Sequence, residues 1–276
     1  MSIIESILYG FVSGLSTFLP VSSRAHQSLL CYLFGISTRN SLQEILVHIG
    51  VMFSIFAGCR EIIFRLRREQ KSMSTTRRRR TRALDAKSYY DLRLLKTATF
   101  PLLIGLLLYI TTQKMENNLV AIMGFLLVNA FALLVAEHSQ HGNRDARTMT
   151  GLDGIVMGIL GALSVFPGVS RTAMIASYAT IRGADSENVN NWAILLGIPA
   201  TAFAICFDVF RIVTVGVGGF SFSAFIGCLL SGAAAFMGGY IGISLFRAVL
   251  ANSGFSKFAY YSIGAALFSF IIYLIT

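Results

Sequence analysis

Long apolar runs joined by short polar links dominate the chain, and several of the runs are interrupted where a membrane helix would continue. Ile3 to Leu19 is apolar but carries Glu5, Gly10 and Gly14 and runs into Pro20, and a short run from Ala25 to Ile36 follows it. Helix, break, helix is the expectation there, a half-membrane or re-entrant pair in place of a clean span. Leu42 to Cys59 reads as the next span, with Glu44 and His48 four residues apart and so on one helix face. Thr97 to Thr112 and Leu119 to Ala136 form a hairpin across the polar link Gln113 to Asn118, and polar Glu137 to Thr150 closes the first half. The second half opens with an apolar run from Gly151 to Pro167 and a short one from Thr172 to Ile181. Asn191 to Val213 follows as a span interrupted at Pro199, and the last spans lie within Phe222 to Leu250 and Phe258 to Ile275.

The halves repeat one another. An offset of 147 lays Gly161 to Arg171 on Gly14 to Arg24 without a gap, matching Pro20 with Pro167, Ser23 with Ser170 and Arg24 with Arg171. The same offset sets Asn191 on Glu44 and Gly197 on Gly50. These patterns predict an all-α polytopic membrane protein, one integral membrane domain of two inverted repeats, residues 1–136 and 151–276. About six transmembrane helices and paired re-entrant helices are expected, with the site near the pseudo-two-fold axis.

Composition agrees. Fifty-five per cent hydrophobic and 13% charged residues are too apolar for a soluble domain of 276 residues. The four cysteines, Cys31, Cys59, Cys206 and Cys228, show no CxxC or Cys/His clustering and read as packing residues. The net charge of +10 is local: residues 60–96 hold 13 Lys/Arg against 4 acids. That stretch reads as a cytoplasmic loop with short helical extensions of the flanking spans, and anionic lipid headgroups are its expected partner. The Arg77 to Arg80 run has no interleaved aromatics, so nucleic acid is not expected. The N-terminus lacks a charged n-region and a small-residue cleavage site, so it is expected to remain as structure. Gly238-xxx-Gly242 permits a homodimer, or close packing inside one chain.

Candidate chemistry gathers at the two Ser-Arg pairs. A helix starting after Pro20 or Pro167 offers unpaired N–H groups and a positive dipole end. Ser22, Ser23 and Ser170 add hydroxyls, and Arg24 and Arg171 add planar forks suited to phosphate oxygens. A plainer reading has Ser22 and Ser170 capping helices and the arginines snorkelling to the interface. His26 follows Ser23 by one helical turn and reads as its proton carrier or as a packed polar residue. Glu44 and His48 either bond within the fold or extend the site as an acid/base or cation-binding arm. Asp153 and Asp208 are expected at helix ends near water, without a role.

At these residues the sequence resembles the undecaprenyl-diphosphate phosphatase family, also called the bacitracin-resistance protein family. The resemblance rests on Phe18-Leu19-Pro20-Val21-Ser22-Ser23 with His26, Glu44 through His48-Ile49-Gly50, Pro167-Gly168-Val169-Ser170-Arg171 and Leu195-Leu196-Gly197-Ile198-Pro199-Ala200, with a looser aromatic pattern at Phe258 and Tyr261. It implies an inverted-repeat fold and a polyprenyl diphosphate substrate. The terminal phosphate would be removed at the outer face of the cytoplasmic (inner) membrane, regenerating the lipid carrier for cell-wall synthesis. By position, Ser23 becomes the nucleophile, His26 its proton partner, and Ser170 with Arg171 the phosphate clamp. Beside these, the residue pattern itself makes Ser22, Arg24, Glu44 and His48 candidates to contact substrate. The family's two first-motif glutamates, associated with a divalent cation or proton shuttling, are Ser13 and Thr17 here; Gly161 replaces a usual glutamine, and Arg24 a small polar residue. The site is therefore expected to be more cationic than is usual in the family. Two functions fit: a polyprenyl diphosphate phosphatase, or a non-hydrolytic polyprenyl-phosphate binding protein or flippase using the same paired site.

Overall fold

The computed structural model describes all residues except 37–39, 74–86, 140–141, 217–220, 253 and 276; the Arg77 to Arg80 run lies outside the described residues. The described chain is helical. Helices α1 (Ile3–Phe18), α2 (Ser23–Leu33), α3 (Ser41–Gly58), α4 (Arg60–Met73), α5 (Lys87–Leu106), α6 (Tyr109–Thr112) and α7 (Leu119–Glu137) make the first half. The second half is α8 (Gly151–Ala162), α9 (Arg171–Ile181), α10 (Ser186–Leu195), α11 (Gly197–Val215), α12 (Phe222–Asn252) and α13 (Ser256–Ile275). Five helical segments are long and apolar enough to cross a membrane, six when α5 and the bent continuation Tyr109–Asn117 count as one. The basic stretch contributes α4 and the start of α5, as the helical extensions expected there.

Both halves begin with a capped half-helix that stops short. Ser2 and Glu5 form a capping box on α1, so Glu5 lies at a helix end and is not a charge inside a span. Thr150 and Asp153 do the same for α8. After α1 the chain turns at Leu19-Pro20 and re-enters as α2; after α8 a 3-10 turn (Leu163–Val165) leads to Pro167 and α9. The Asn191 to Val213 run breaks at Leu196 and not at Pro199. Pro199 is the third residue of α11, where its missing N–H would have had no helical partner anyway.

Equivalent helices run in opposite directions, which is what inversion means. Along α3 and α10–α11, His48 meets Asp208 while Ile55 lies beside Gly197. Along α7 and α13, Leu119 accepts from Ser269, Asn129 bonds Ser262, and Glu137 takes the backbone N–H groups of Phe255 and Ser256. Packing is reciprocal across the axis: α1 lies on α12 and α5 on α8. Small residues make the first contact close enough. A Cβ at Gly10 or Gly14 would overlap the carbonyl oxygens of Ser231 or Ala235, and one at Gly238 would overlap that of Phe11. Gly238 and Gly242 are thus spent on α1 inside the chain, and the homodimer expectation draws no support from them. Three cysteines are buried; Cys206 is exposed on the outside of α11, so the packing reading fails for that one.

A candidate anion site between two broken helices

The two re-entrant tips are tied to each other. Ser22 has φ 59°, the one non-glycine residue with positive φ among those described. This turn directs its hydroxyl oxygen to accept from Ala25 N–H, capping α2, and from Gly168 N–H of the other tip at 3.0 Å. Ser170 caps α9 by accepting from Ala173 N–H and donates to Leu19 O. Thr172 donates to Thr17 O. Gly168, at φ 126°, sits so close to α7 that a Cβ would press on Leu126 N and Ile122 O. The capping reading of Ser22 and Ser170 therefore describes what they do, and their caps also join the repeats.

Asn129 completes this joint. Fully buried on α7, it donates through Nδ2 to Pro20 O at 3.0 Å and to Ser262 Oγ at 3.2 Å, and accepts from Ser170 N–H at 2.9 Å. Sequence reasoning passed over it, although a lone amide in an otherwise apolar span is the signal that could have marked it.

A narrow cavity runs along the joined tips in two lobes of ≈ 80 and ≈ 70 Å³, both walled by Ser23, Arg24, His48 and Leu106. Ser170, Arg171 and Thr17 line the inner lobe; Glu44, Tyr109, Glu116, Asp208 and Arg211 line the outer one. Ser23 and Arg24 of repeat 1 thus share a wall with Ser170 and Arg171 of repeat 2, as the internal match predicts. Arg171 is half-buried, and its guanidinium Nε and Nη2 are enclosed by protein, which is not a snorkelling arrangement. Its Nε and Nη2 have no hydrogen-bond partner, and Nη2 packs against Gly197, where a Cβ would come within 3.0 Å. A buried guanidinium with open donors is costly unless an anion arrives to take them.

Arg24 is held, not free. Its Nη1 reaches Glu116 Oε1 at 3.3 Å, and its guanidinium carbon lies 3.8 Å over the Tyr109 ring. His48 Nδ1 lies 3.1 Å from Asp208 Oδ2. Glu44 accepts from the Tyr9 hydroxyl. Three arginines in the cavity wall, Arg24, Arg171 and Arg211, face Glu44, Glu116 and Asp208. Asp208 is also not at a wet helix end, since only 7% of its side chain is exposed. Asp153 does cap a helix end, where it pairs with Arg182 at 2.7 Å and accepts from the Tyr178 hydroxyl.

His26 is directed elsewhere. Its Nδ1–H donates to Ser22 O at 2.7 Å, Nε2 lies 2.7 Å from the Tyr261 hydroxyl, and the two rings stack on the α13 side. It is not among the residues lining either lobe. The donor set does not fit a resident divalent cation. Ser13 and Thr17 donate their hydroxyls to the carbonyls of Tyr9 and Ser13, and the cavity's carboxylates are engaged by Arg24, His48 and Tyr9. Among the described residues no three His, Cys, Asp or Glu side chains converge on a metal position.

The class the fold defines is that of inverted-repeat membrane proteins in which two broken helices meet, here around an arginine whose buried Nε and Nη2 have no partner. The chain belongs to the bacitracin resistance protein BacA family, whose model matches residues 6–268. It is 30% identical over 265 residues to an undecaprenyl-diphosphatase of Alkaliphilus metalliredigens, covering 95% of each chain. An undecaprenyl-diphosphatase of Thermosipho africanus is 28% identical over 269 residues, covering 96% of this chain and 98% of the relative. "Undecaprenyl-diphosphatase 4" of Bacillus thuringiensis is 28% identical over 272 residues, covering 97% and 96%.

Proposed function

We propose that this protein is a polyprenyl diphosphate phosphatase of the cytoplasmic membrane, removing the terminal phosphate of undecaprenyl diphosphate to regenerate the lipid carrier for cell-wall synthesis. The observation that carries the reading is Arg171, half-buried with Nε and Nη2 enclosed and unpartnered, on a cavity wall shared with Ser23 and Arg24. A phosphoryl group accepts several charge-assisted hydrogen bonds at once and suits those open donors better than a carboxylate would.

The chain's own residues divide the work. Arg171 grips the oxygens of the transferring phosphoryl group and stabilises the charge that spreads over them. Ser23, in the first turn of α2, is the nucleophile, and the α2 N-terminus adds a positive dipole end. Arg24, steadied by Glu116 and Tyr109, holds the lipid-linked phosphate. Ser22 and Ser170 do not need to touch substrate: their hydroxyls fix the backbone on which Ser23 and Arg171 ride. No step here runs through a cation, because the donor set does not fit one.

Two further features support a membrane lipid as substrate. An apolar recess of ≈ 660 Å³ between α5 and α8 is lined by Phe100, Ile104, Leu108, Ile159, Leu163 and Phe166, beside the second tip, and suits an isoprenoid tail. The cavity's outer lobe lies at the Arg211 and Glu116 end of the bundle, away from basic α4, so the positive-inside rule turns it to the outer face. The deciding experiment measures phosphate release from undecaprenyl diphosphate by purified protein, with Ser23→Ala as control. Release that Ser23→Ala abolishes supports the phosphatase. A binding protein or flippase would hold the lipid monophosphate and release nothing.

A further inference from the structure

We propose that His48, oriented by Asp208, is the proton-handling group of the cavity, with His48 acting on the reacting atoms and Asp208 as its positioning residue. The inference rests on the phosphatase reading and deepens it, since a serine nucleophile needs a partner to take its proton and His26 has both ring nitrogens engaged away from the cavity.

The geometry is that of an oriented imidazole. Asp208 comes from α11 and His48 from α3, the antiparallel helices that carry equivalent positions of the two repeats. A carboxylate only accepts, so His48 Nδ1 carries the proton toward Asp208 Oδ2 and Nε2 is left as the basic nitrogen. His48 walls both lobes, together with Ser23 in each and with Arg171 in the inner one. The charged and titratable groups around it are Arg24 of α2, Glu44 of its own helix, Tyr109 of α6, Glu116 of the 3-10 turn that follows, Arg171 of α9, and Asp208 and Arg211 of α11. Of the acids, Glu44 is bonded by Tyr9 and Glu116 by Arg24, which leaves Asp208 as the carboxylate directed at the imidazole.

The step balances as follows. His48 Nε2 takes the proton of the Ser23 hydroxyl as the Oγ–P bond forms and the bridging P–O bond breaks. The bond's electron pair leaves with the lipid monophosphate, which receives the proton from His48. Nε2 then takes a proton from water as its oxygen attacks the phosphoserine, and returns it to Ser23 Oγ as inorganic phosphate departs.

The test follows kcat and KM for undecaprenyl diphosphate against pH with the purified full chain and with His48→Gln, Asp208→Asn, His48→Ala and His26→Gln. Thermal unfolding and binding of undecaprenyl phosphate report whether each variant is folded. The expected result is a kcat lowered ~10²–10⁴-fold in His48→Gln, with KM within about twofold and the acidic limb of the pH profile gone. Asp208→Asn is expected to lower kcat ~10-fold or more at similar KM, and added imidazole to restore activity to His48→Ala. His26→Gln is expected to keep the acidic limb. A folded His48→Gln with unchanged kcat and pH profile overturns the dyad while leaving the phosphatase reading intact. An acidic limb that vanishes in His26→Gln also overturns it. Absence of phosphate release by the unaltered protein overturns both.

Discussion

Replacing Asn129 by Leu removes the amide that ties the two tips without changing the side chain's size greatly. Ser170 N–H and Pro20 C=O then lose a partner at a site that is 0% exposed. Each of these two buried backbone groups left unpaired costs ~1–3 kcal/mol, so the variant should be about 2–6 kcal/mol less stable. Function should fall further than stability alone implies, because Ser170 N–H is the residue before Arg171 and the tip is what aims the guanidinium. A displacement on the order of 1 Å at a reacting centre costs ~10²-fold in rate. Asn129→Asp separates the two ties: it keeps an acceptor for Ser170 N–H but loses the donor to Pro20 O. The assays are thermal unfolding in detergent and phosphate release from undecaprenyl diphosphate at saturating substrate. Asn129→Leu is expected to lose both stability and kcat, with Asn129→Asp between it and the parent. An Asn129→Leu protein that melts within about 0.5 kcal/mol of the parent and keeps its kcat would refute the idea that this amide holds the site.

Three other expectations concern the scaffold and the chemistry. Gly14→Ala drives a Cβ into the Ala235 carbonyl and should cost about 1–3 kcal/mol or more by separating α1 from α12, read as a lower melting temperature. Asp153 lies outside the spanning helices: burial pushes its carboxyl up, but hydrogen bonds from Thr150, Arg182 and Tyr178 outweigh this and hold it at about 2. A carboxyl held low in the folded state stabilises above its unfolded range near pH 4 and loses that contribution as pH falls toward 2. Asp153→Asn should therefore cost about 1–2 kcal/mol at neutral pH and flatten this acid dependence in denaturation curves. Chelation of divalent cations should leave phosphate release within about twofold, since the cavity's carboxylates are already paired; an activity abolished by chelator and restored by a divalent ion would contradict that donor-set argument.

Much of the scaffold is legible in local patterns. Pro20, Pro167 and the shared Gly and Ser-Arg positions mark both breaks because a proline and a cap act on their own backbone neighbourhood. The break falls at Leu196 and not at Pro199 because proline is tolerated in the first turn of a helix, so its presence locates a helix start only to within a turn. The site was half legible for a different reason. Ser23, Arg24, Ser170 and Arg171 come together through the internal repeat, which a single chain displays. Glu116 pairing with Arg24 and Asp208 with His48 are contacts between segments 92 and 160 residues apart, and neither position follows from any local period. His26 shows the converse: helical spacing set it one turn from Ser23, but the turn at Ser22 and the α13 wall direct its ring to Tyr261.

The central claim is that Arg171 is an open anion clamp serving phosphoryl transfer from Ser23's side of the cavity. The most direct measurement is phosphate release from undecaprenyl diphosphate by the parent protein and Arg171→Lys in parallel, each also titrated with undecaprenyl phosphate. A compact ammonium cannot reproduce the planar fork, so Arg171→Lys should release phosphate at least ~10²-fold more slowly and bind the monophosphate more weakly while still folding. Equal release and equal binding by the two proteins, or no release by the parent, would contradict the account.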